Sequence, residues 1–156
     1  MASLFRHMSP GDVPLFASFV LTPEGQSYEA WAFDVHVGEG VTAPGLSDNP
    51  TIFDIGKYLT QLRIDAVGWK DGQPHIFEVK PEARLSAIGQ LVTYCSYYES
   101  QFGYDCTRHV VTDYANAQSC DAFARFNIVP HFVQPATLDQ QQQAVTWVRS
   151  LPYRAF

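Results

Sequence analysis

Asp71-Gly72 stands between two runs that are rich in β-formers and alternate in polarity, Leu62–Trp69 and Pro74–Lys80. An Asp-Gly pair in that setting favours a two-residue type I′ turn, because both central positions need positive φ and these residues tolerate it. A turn of fixed length sets the pairing of the residues behind it. With Asp71 and Gly72 at the tip, Lys70 opposes Gln73, Trp69 opposes Pro74, Gly68 opposes His75, Val67 opposes Ile76, Ala66 opposes Phe77, and Asp65 is expected to oppose Glu78. Directly opposed residues of an antiparallel pair share a face with Cβ atoms roughly 4.5–5.5 Å apart, and Lys80 returns to that face two residues after Glu78. Two like charges so placed repel. A hard divalent cation held by both carboxylates and a backbone carbonyl, for which Val79 is the candidate, offsets the repulsion. A solvated sheet face on which Asp65, Glu78 and Lys80 partly compensate one another is the other reading of the same residues.

Pro81 can serve as the first residue of a following helix with Glu82 and Ala83 in its first turn, and that helix is expected to run to about Gln101. Ala87, Ile88, Leu91, Val92 and Cys95 recur at helical spacing as an apolar stripe, while Gln90 and Tyr94 form an i, i+4 pair on a neighbouring face. Alone, that pair is a surface Gln and a half-buried Tyr.

Asp65, then Glu78-Val79-Lys80 on the next strand, then Gln90-Leu91-Val92-Thr93-Tyr94 on the helix after it, form an ordered pattern. It resembles the PD-(D/E)XK nuclease superfamily, the restriction-endonuclease-like fold, and within it the RecB and lambda-exonuclease-type branch with its QxxxY motif. The likeness covers the central third of the chain by motif and extends to about Gln134 by architecture. Ile64 stands where the name-giving Pro would be. Asp34, His36, Glu39 and Asp54 all stay open as a third metal ligand, since a lone acid or imidazole matches no spacing rule. The resemblance implies Mg²⁺ or Mn²⁺ held by Asp65, Glu78 and the Val79 carbonyl, Lys80 acting on the attacking water, and Gln90 and Tyr94 positioning a DNA strand.

The length of 156 residues suits one domain, with 46% hydrophobic and 17% charged residues able to build a core. The expected nuclease-like domain therefore spans 1–156, with its core over about 27–134. A formal charge of −6 argues against binding DNA through a broadly basic surface. Carboxylates that await cations account for part of that charge. Three cysteines without CxxC or zinc spacing imply neither a disulfide framework nor a structural zinc site, which points to a reducing compartment. Val13–Leu21 is apolar but too short for a membrane span and unlike a signal core, so it reads as a buried strand or short helix. A cytoplasmic location is expected, or a virion-associated one for a viral source, with no membrane partner.

Ser27–Val37 alternates with a period of two and reads as a strand, with Trp31, Phe33, Val35 and Val37 on one apolar face and Asp34 and His36 on the more polar one. Gly38–Asn49 reads as a loop and Pro50–Leu59 as a short helix or irregular edge. Thr107–Thr112 reads as a buried strand, and Asp113 or Asn116 is placed to cap a helix over Ala115–Phe126. Asn127–Val133 is then another strand. Thr137-x-x-Gln140 is a capping-box pattern opening a helix over Leu138–Leu151. Strand and helix alternation predicts an α/β fold, a mixed central β-sheet flanked by helices. Tyr97, Tyr98 and Tyr104 read as packing residues before base-stacking ones. Two functions follow: a metal-dependent nuclease hydrolysing DNA, or a catalytically inactive protein of the same fold serving as a structural or DNA-processing accessory subunit, such as a viral particle component, with homo-oligomers or assembly partners.

Overall fold

The hairpin forms in the expected register. Strand β2 (Leu62–Lys70) pairs antiparallel with β3 (Gln73–Glu82) from Lys70↔Gln73 back to Ala66↔Phe77, and the tip residues Asp71 and Gly72 have φ of 52° and 74°. The structure, a computed structural model, describes residues 4–5, 7–40 and 50–152, without the side chains of 52–54 and 56. Strand β1 (Ala30–Val37) joins the other edge of β2 antiparallel, while β4 (Thr107–Tyr114) and β5 (Ile128–Phe132) add parallel on the far side of β3. The result is the mixed five-stranded α/β sheet, in the order β1-β2-β3-β4-β5.

Helices α4 (Leu85–Phe102) and α5 (Ala117–Arg125) are the crossovers between the parallel strands. Leu91, Tyr98 and Phe123 bury one sheet face together with Ile76 and Val110. Helices α1 (Asp12–Val20) and α6 (Leu138–Ser150) cover the other face, where Phe16, Phe19, Val145 and Val148 meet Trp31, Phe77 and Val111. The short α2 (Pro23–Gln26) follows α1, and α3 (Pro50–Thr60) precedes β2. Thr137 caps α6 in the expected box, its Oγ1 accepting from the Gln140 N–H at 3.3 Å while Gln140 Oε1 accepts from the Thr137 N–H at 2.8 Å. Asn116 is the cap of α5, through Oδ1 and the Ser119 N–H at 2.8 Å. Among the described residues no helix is long and apolar enough to cross a membrane.

Two local expectations need correction, and two left open are decided. Pro81 does not open α4, because β3 keeps pairing with β4 through Glu82↔Tyr114 and the Ala83 N–H bonds the Tyr114 carbonyl at 2.9 Å. The buried Thr112 hydroxyl lies 3.2 Å from the Pro81 carbonyl and accepts from the Ala83 N–H, so the proline costs the parallel pair little. Ser27–Val37 is regular only from Ala30, and its faces change over. Trp31 and Phe33 lie against the α1 side whereas Val35 and Val37 lie against α4, because Asp34 takes φ of 55° between them. Val13–Leu21, open between strand and helix, is helical: it buries Leu15, Phe16, Phe19 and Val20 at helical spacing. Pro50–Leu59 is likewise helical, and of the loop over Gly38–Asn49 residues 41–49 lie outside the described part.

Gly68 marks how closely the aromatic cluster sits on the sheet. A Cβ there would come within 2.7 Å of Tyr28 Cδ1 and 2.8 Å of Trp31 Cζ3, both ring atoms of buried side chains. Gly68→Ala is expected to lower stability by about 1–3 kcal/mol, the usual cost of overpacking. Urea denaturation checks this, and a midpoint equal to wild type would contradict the packing described.

Candidate active site

The expected Asp65↔Glu78 cross-strand pair is not formed; the ladder stops one residue earlier, at Ala66↔Phe77. At that point the alternation of β2 also slips, with Ala66 on the α1 side while both Ile64 and Val67 face α4. Asp65 Oδ2 instead accepts the Val79 N–H at 2.9 Å, so a side chain takes the place of the missing strand partner. On its other side the Asp65 carbonyl accepts from His7 Nε2 at 2.6 Å. The N–H and C=O of one strand residue point the same way, so the Val79 carbonyl is also directed into the gap left by β2.

Glu78 and Lys80 follow on β3, paired on their other side with Val110 and Thr112 of β4. The Glu78 side chain is 1% exposed, with Oε1 2.9 Å from Lys80 Nζ, while the Lys80 side chain is 38% exposed. Its second oxygen, Oε2, is buried with no hydrogen-bond partner. Burial and then the neighbouring Asp65 charge push the Glu78 carboxyl up to about 7, against the pull of Lys80. Burial also raises Asp65, although the Val79 N–H and Lys80 oppose it. For Lys80, burial works against its charge, but Glu78 and Asp65 outweigh it and hold the ammonium above its ordinary value.

Helix α4 brings Gln90 and Tyr94 to this acidic cluster. Gln90 Nε2 donates to the Tyr94 hydroxyl at 3.3 Å, and burial followed by the Glu78 charge raises the Tyr94 pKa. Tyr94 is 7% exposed and its ring belongs to the core, so the residue is both packed and aimed, through its hydroxyl, at the carboxylates. Of the three tyrosines considered for stacking, Tyr98 is fully buried, Tyr97 is exposed, and Tyr104 packs edge-on to Trp69 at 5.1 Å.

The open places for a third acid resolve differently. Asp34 bonds Arg63 Nε at 2.5 Å and lies 3.4 Å from His36 Nε2, where the guanidinium outweighs burial and holds its carboxyl low. His36 is stacked on Tyr58 with ring centroids 4.1 Å apart. Glu39 lines a separate groove with Thr60 and Tyr97, and the Asp54 side chain lies outside the described residues. The acid that does act on the cluster is Asp12, in the first turn of α1. It is buried, accepts the Ser9 N–H at 3.1 Å through Oδ2, and its charge bears on Asp65, Glu78 and Lys80. Asp12 carries one signal in the sequence: an acid directly before an apolar helical run, where a helix N-terminus favours it.

Among the described residues no three His, Cys, Asp or Glu side chains gather closely enough to hold a metal ion by themselves. The donor set nevertheless suits a hard divalent cation. A buried Glu78 with one orphaned oxygen and a half-buried Asp65, beside a strand carbonyl directed into the gap, leave the remaining positions to water, as Mg²⁺ prefers.

No protein-family model matches the sequence, and no curated protein does. Among solved structures, the fold is similar to that of a repair endonuclease from Pyrococcus abyssi, with a TM-score of 0.51 and 15% identity over 82% of this chain and 49% of that one. It is also similar to a chain of an EndoMS-dsDNA complex, with a TM-score of 0.50 and 14% identity over 83% of this chain and 47% of that one. The chain spans about half the length of these solved chains, and what they share at such identity is the fold.

Glu78 makes the site costly at neutral pH. A carboxyl whose folded pKa is raised stabilises the fold fully below its unfolded value of about 4.5, and that stability is lost as pH rises through about 7. Glu78→Gln is therefore expected to stabilise the protein at pH 8 by on the order of 2 kcal/mol. The gain should vanish near pH 4.5. Denaturation of both proteins at the two pH values checks this, and a gain independent of pH would contradict it.

Proposed function

We propose that the chain carries a divalent-metal-dependent nuclease domain of the PD-(D/E)XK type, in the RecB and lambda-exonuclease-like branch, that hydrolyses phosphodiester bonds of DNA. The observation that carries this reading is the buried, partnerless Glu78 Oε2 set beside Asp65 where β2 leaves β3. Asp65, Glu78 and the Val79 carbonyl would hold Mg²⁺ or Mn²⁺. When bound, such an ion lowers the pKa of a water and neutralises charge on the phosphate.

The protein's own groups divide the remaining work. Lys80 keeps its proton, so the ammonium of this half-exposed side chain would orient the attacking water and stabilise the charge that builds on the phosphoryl oxygens. Asp12 adds a third negative charge behind the cluster and strengthens its attraction for a cation. Gln90 and Tyr94 have free hydrogen-bonding capacity toward a strand laid over α4, the amide through its second N–H and the phenol by donation. The EndoMS chain in complex with double-stranded DNA supports DNA as the polymer.

A second reading has its own observation. Tyr114 and Phe132, the last residues of β4 and β5, and Leu138 at the start of α6 are all exposed, which suits an accessory subunit docked through that end of the sheet.

Calorimetric titration with Mn²⁺ and cleavage of labelled DNA separate the two. Asp65→Asn and Glu78→Ala should abolish the metal heat, Lys80→Ala should remove cleavage with metal binding kept, and Gln90→Ala or Tyr94→Phe should slow cleavage about two- to a hundredfold, one hydrogen bond's worth. Bound metal with single- and double-stranded DNA left intact would overturn the nuclease reading in favour of the subunit.

A further inference from the structure

On the sheet face opposite α4, three histidines from three strands touch in sequence. His75 Nδ1 lies 2.8 Å from His109 Nε2, and His109 Nδ1 lies 2.9 Å from His131 Nε2. The parallel register places His109 beside Phe77 and His131 beside Val111, so each imidazole is displaced two residues from the last and all three share a face. Their rings step across the sheet at 5.0 and 5.1 Å. Phe77 stacks on His109 at 4.5 Å and Phe19 packs on His131 at 4.6 Å, which leaves the central imidazole 4% exposed and the outer two half-buried. One metal ion cannot take all three, because His109 turns a different nitrogen to each neighbour.

We propose that His75, His109 and His131 form a single proton-binding site, a relay spanning β3, β4 and β5 that accommodates one added proton intact and is broken by a second. The count follows from imidazole chemistry. Three neutral rings carry three N–H groups: one fills each N···N bond, and the third sits on one outer nitrogen, His75 Nε2 or His131 Nδ1. Shifting each proton along its own bond carries a proton in at one end and out at the other, with three N–H groups throughout. An added proton occupies the free outer nitrogen and leaves both bonds whole. A second has nowhere to go except into a bond that already holds one, where two N–H groups would face each other.

The charges around the relay agree with an outer location for the added proton. Burial and then the two neighbouring imidazoles hold His109 down to about 2, with Lys70 adding to the effect. Burial also lowers His75 and His131. Glu24 of α2 favours a charge at both, and at His75 Asp71 does so while Lys70 opposes. Glu24 and Lys70 stand 3.6 Å apart, and the Tyr28 ring meets His75 edge-on at 5.2 Å.

Below about pH 6.5 an unfolded chain protonates all three imidazoles, whereas the folded relay takes one. Unfolding then binds two further protons, so the unfolding constant rises up to about a hundredfold per pH unit as pH falls. Asp65 and Glu78 act in the opposite sense over part of this range, and the comparison with His109→Phe cancels them. That variant keeps an aromatic ring against Phe77 and breaks the relay, so each outer imidazole ionises separately against its own burial and the two-proton difference shrinks.

Urea denaturation of the wild-type protein and His109→Phe between pH 7.5 and 5 tests the proposal. The wild-type unfolding constant should rise with acid relative to the variant by up to about a hundredfold per pH unit; a ratio independent of pH would overturn the relay. Nitrogen-15 NMR of the wild-type histidines gives a second readout that does not require the variant to fold. The three rings should show N–N couplings across both bonds and respond together to one proton, whereas three separate titrations near the ordinary histidine value would overturn it.

Discussion

The hydrogen bond from the Val79 N–H to Asp65 Oδ2 is the interaction on which the acidic site depends. It replaces a rung of the β2–β3 ladder with a side chain, and that replacement lets β2 turn away from β3 without orphaning a buried amide. The gap so made is bounded by Asp65, by Glu78, and by the strand carbonyl that no longer has a ladder partner. His7 holds the Asp65 peptide from the other side, and Asp34 takes its positive φ in β1 where the faces of that strand change over. A regular ladder at this point would set the two carboxylates against each other; the divergence lets one bind backbone and the other bind Lys80.

Electrostatics then bear on the role proposed for the site. Glu78 and the nearby Asp12 are buried, Asp65 is half-buried beside them, and Lys80 is the ammonium set among them. Burying carboxylates faster than they are paired costs stability, which appears as the upward shift of both Asp65 and Glu78. A fold selected for stability alone would replace Glu78 with an apolar residue, since Oε2 makes no bond at all. Such unrelieved charge supports the proposed reading of a site arranged around a divalent cation, which would neutralise it with the oxygen donors present.

Much of this was legible in the residues. Asp71-Gly72 fixed the hairpin register through its turn geometry, and Thr137 with Gln140 announced α6 through its cap. The motif residues were legible as types and order, yet their geometry was not: extending the register one residue too far set Asp65 opposite Glu78, because period-two reasoning assumes a ladder without breaks. Pro81 was assigned to a helix on local preference, and pairing with β4 overrode it. Asp34 hid a change of face that only its positive φ reveals. Asp12 and the histidine relay share a deeper reason for being missed. They are brought into place by strand order and helix packing between segments far apart in the chain, and no spacing rule reaches across such distances.

The central claim is that Asp65, Glu78 and the Val79 carbonyl bind one divalent cation. Anomalous diffraction from crystals grown with Mn²⁺ tests it directly. The account predicts a peak in the gap where β2 leaves β3, with oxygens of all three residues at about the 2.1 Å of hard-cation coordination. A peak elsewhere, or none there with Glu78 still turned to Lys80 at saturating Mn²⁺, would contradict it.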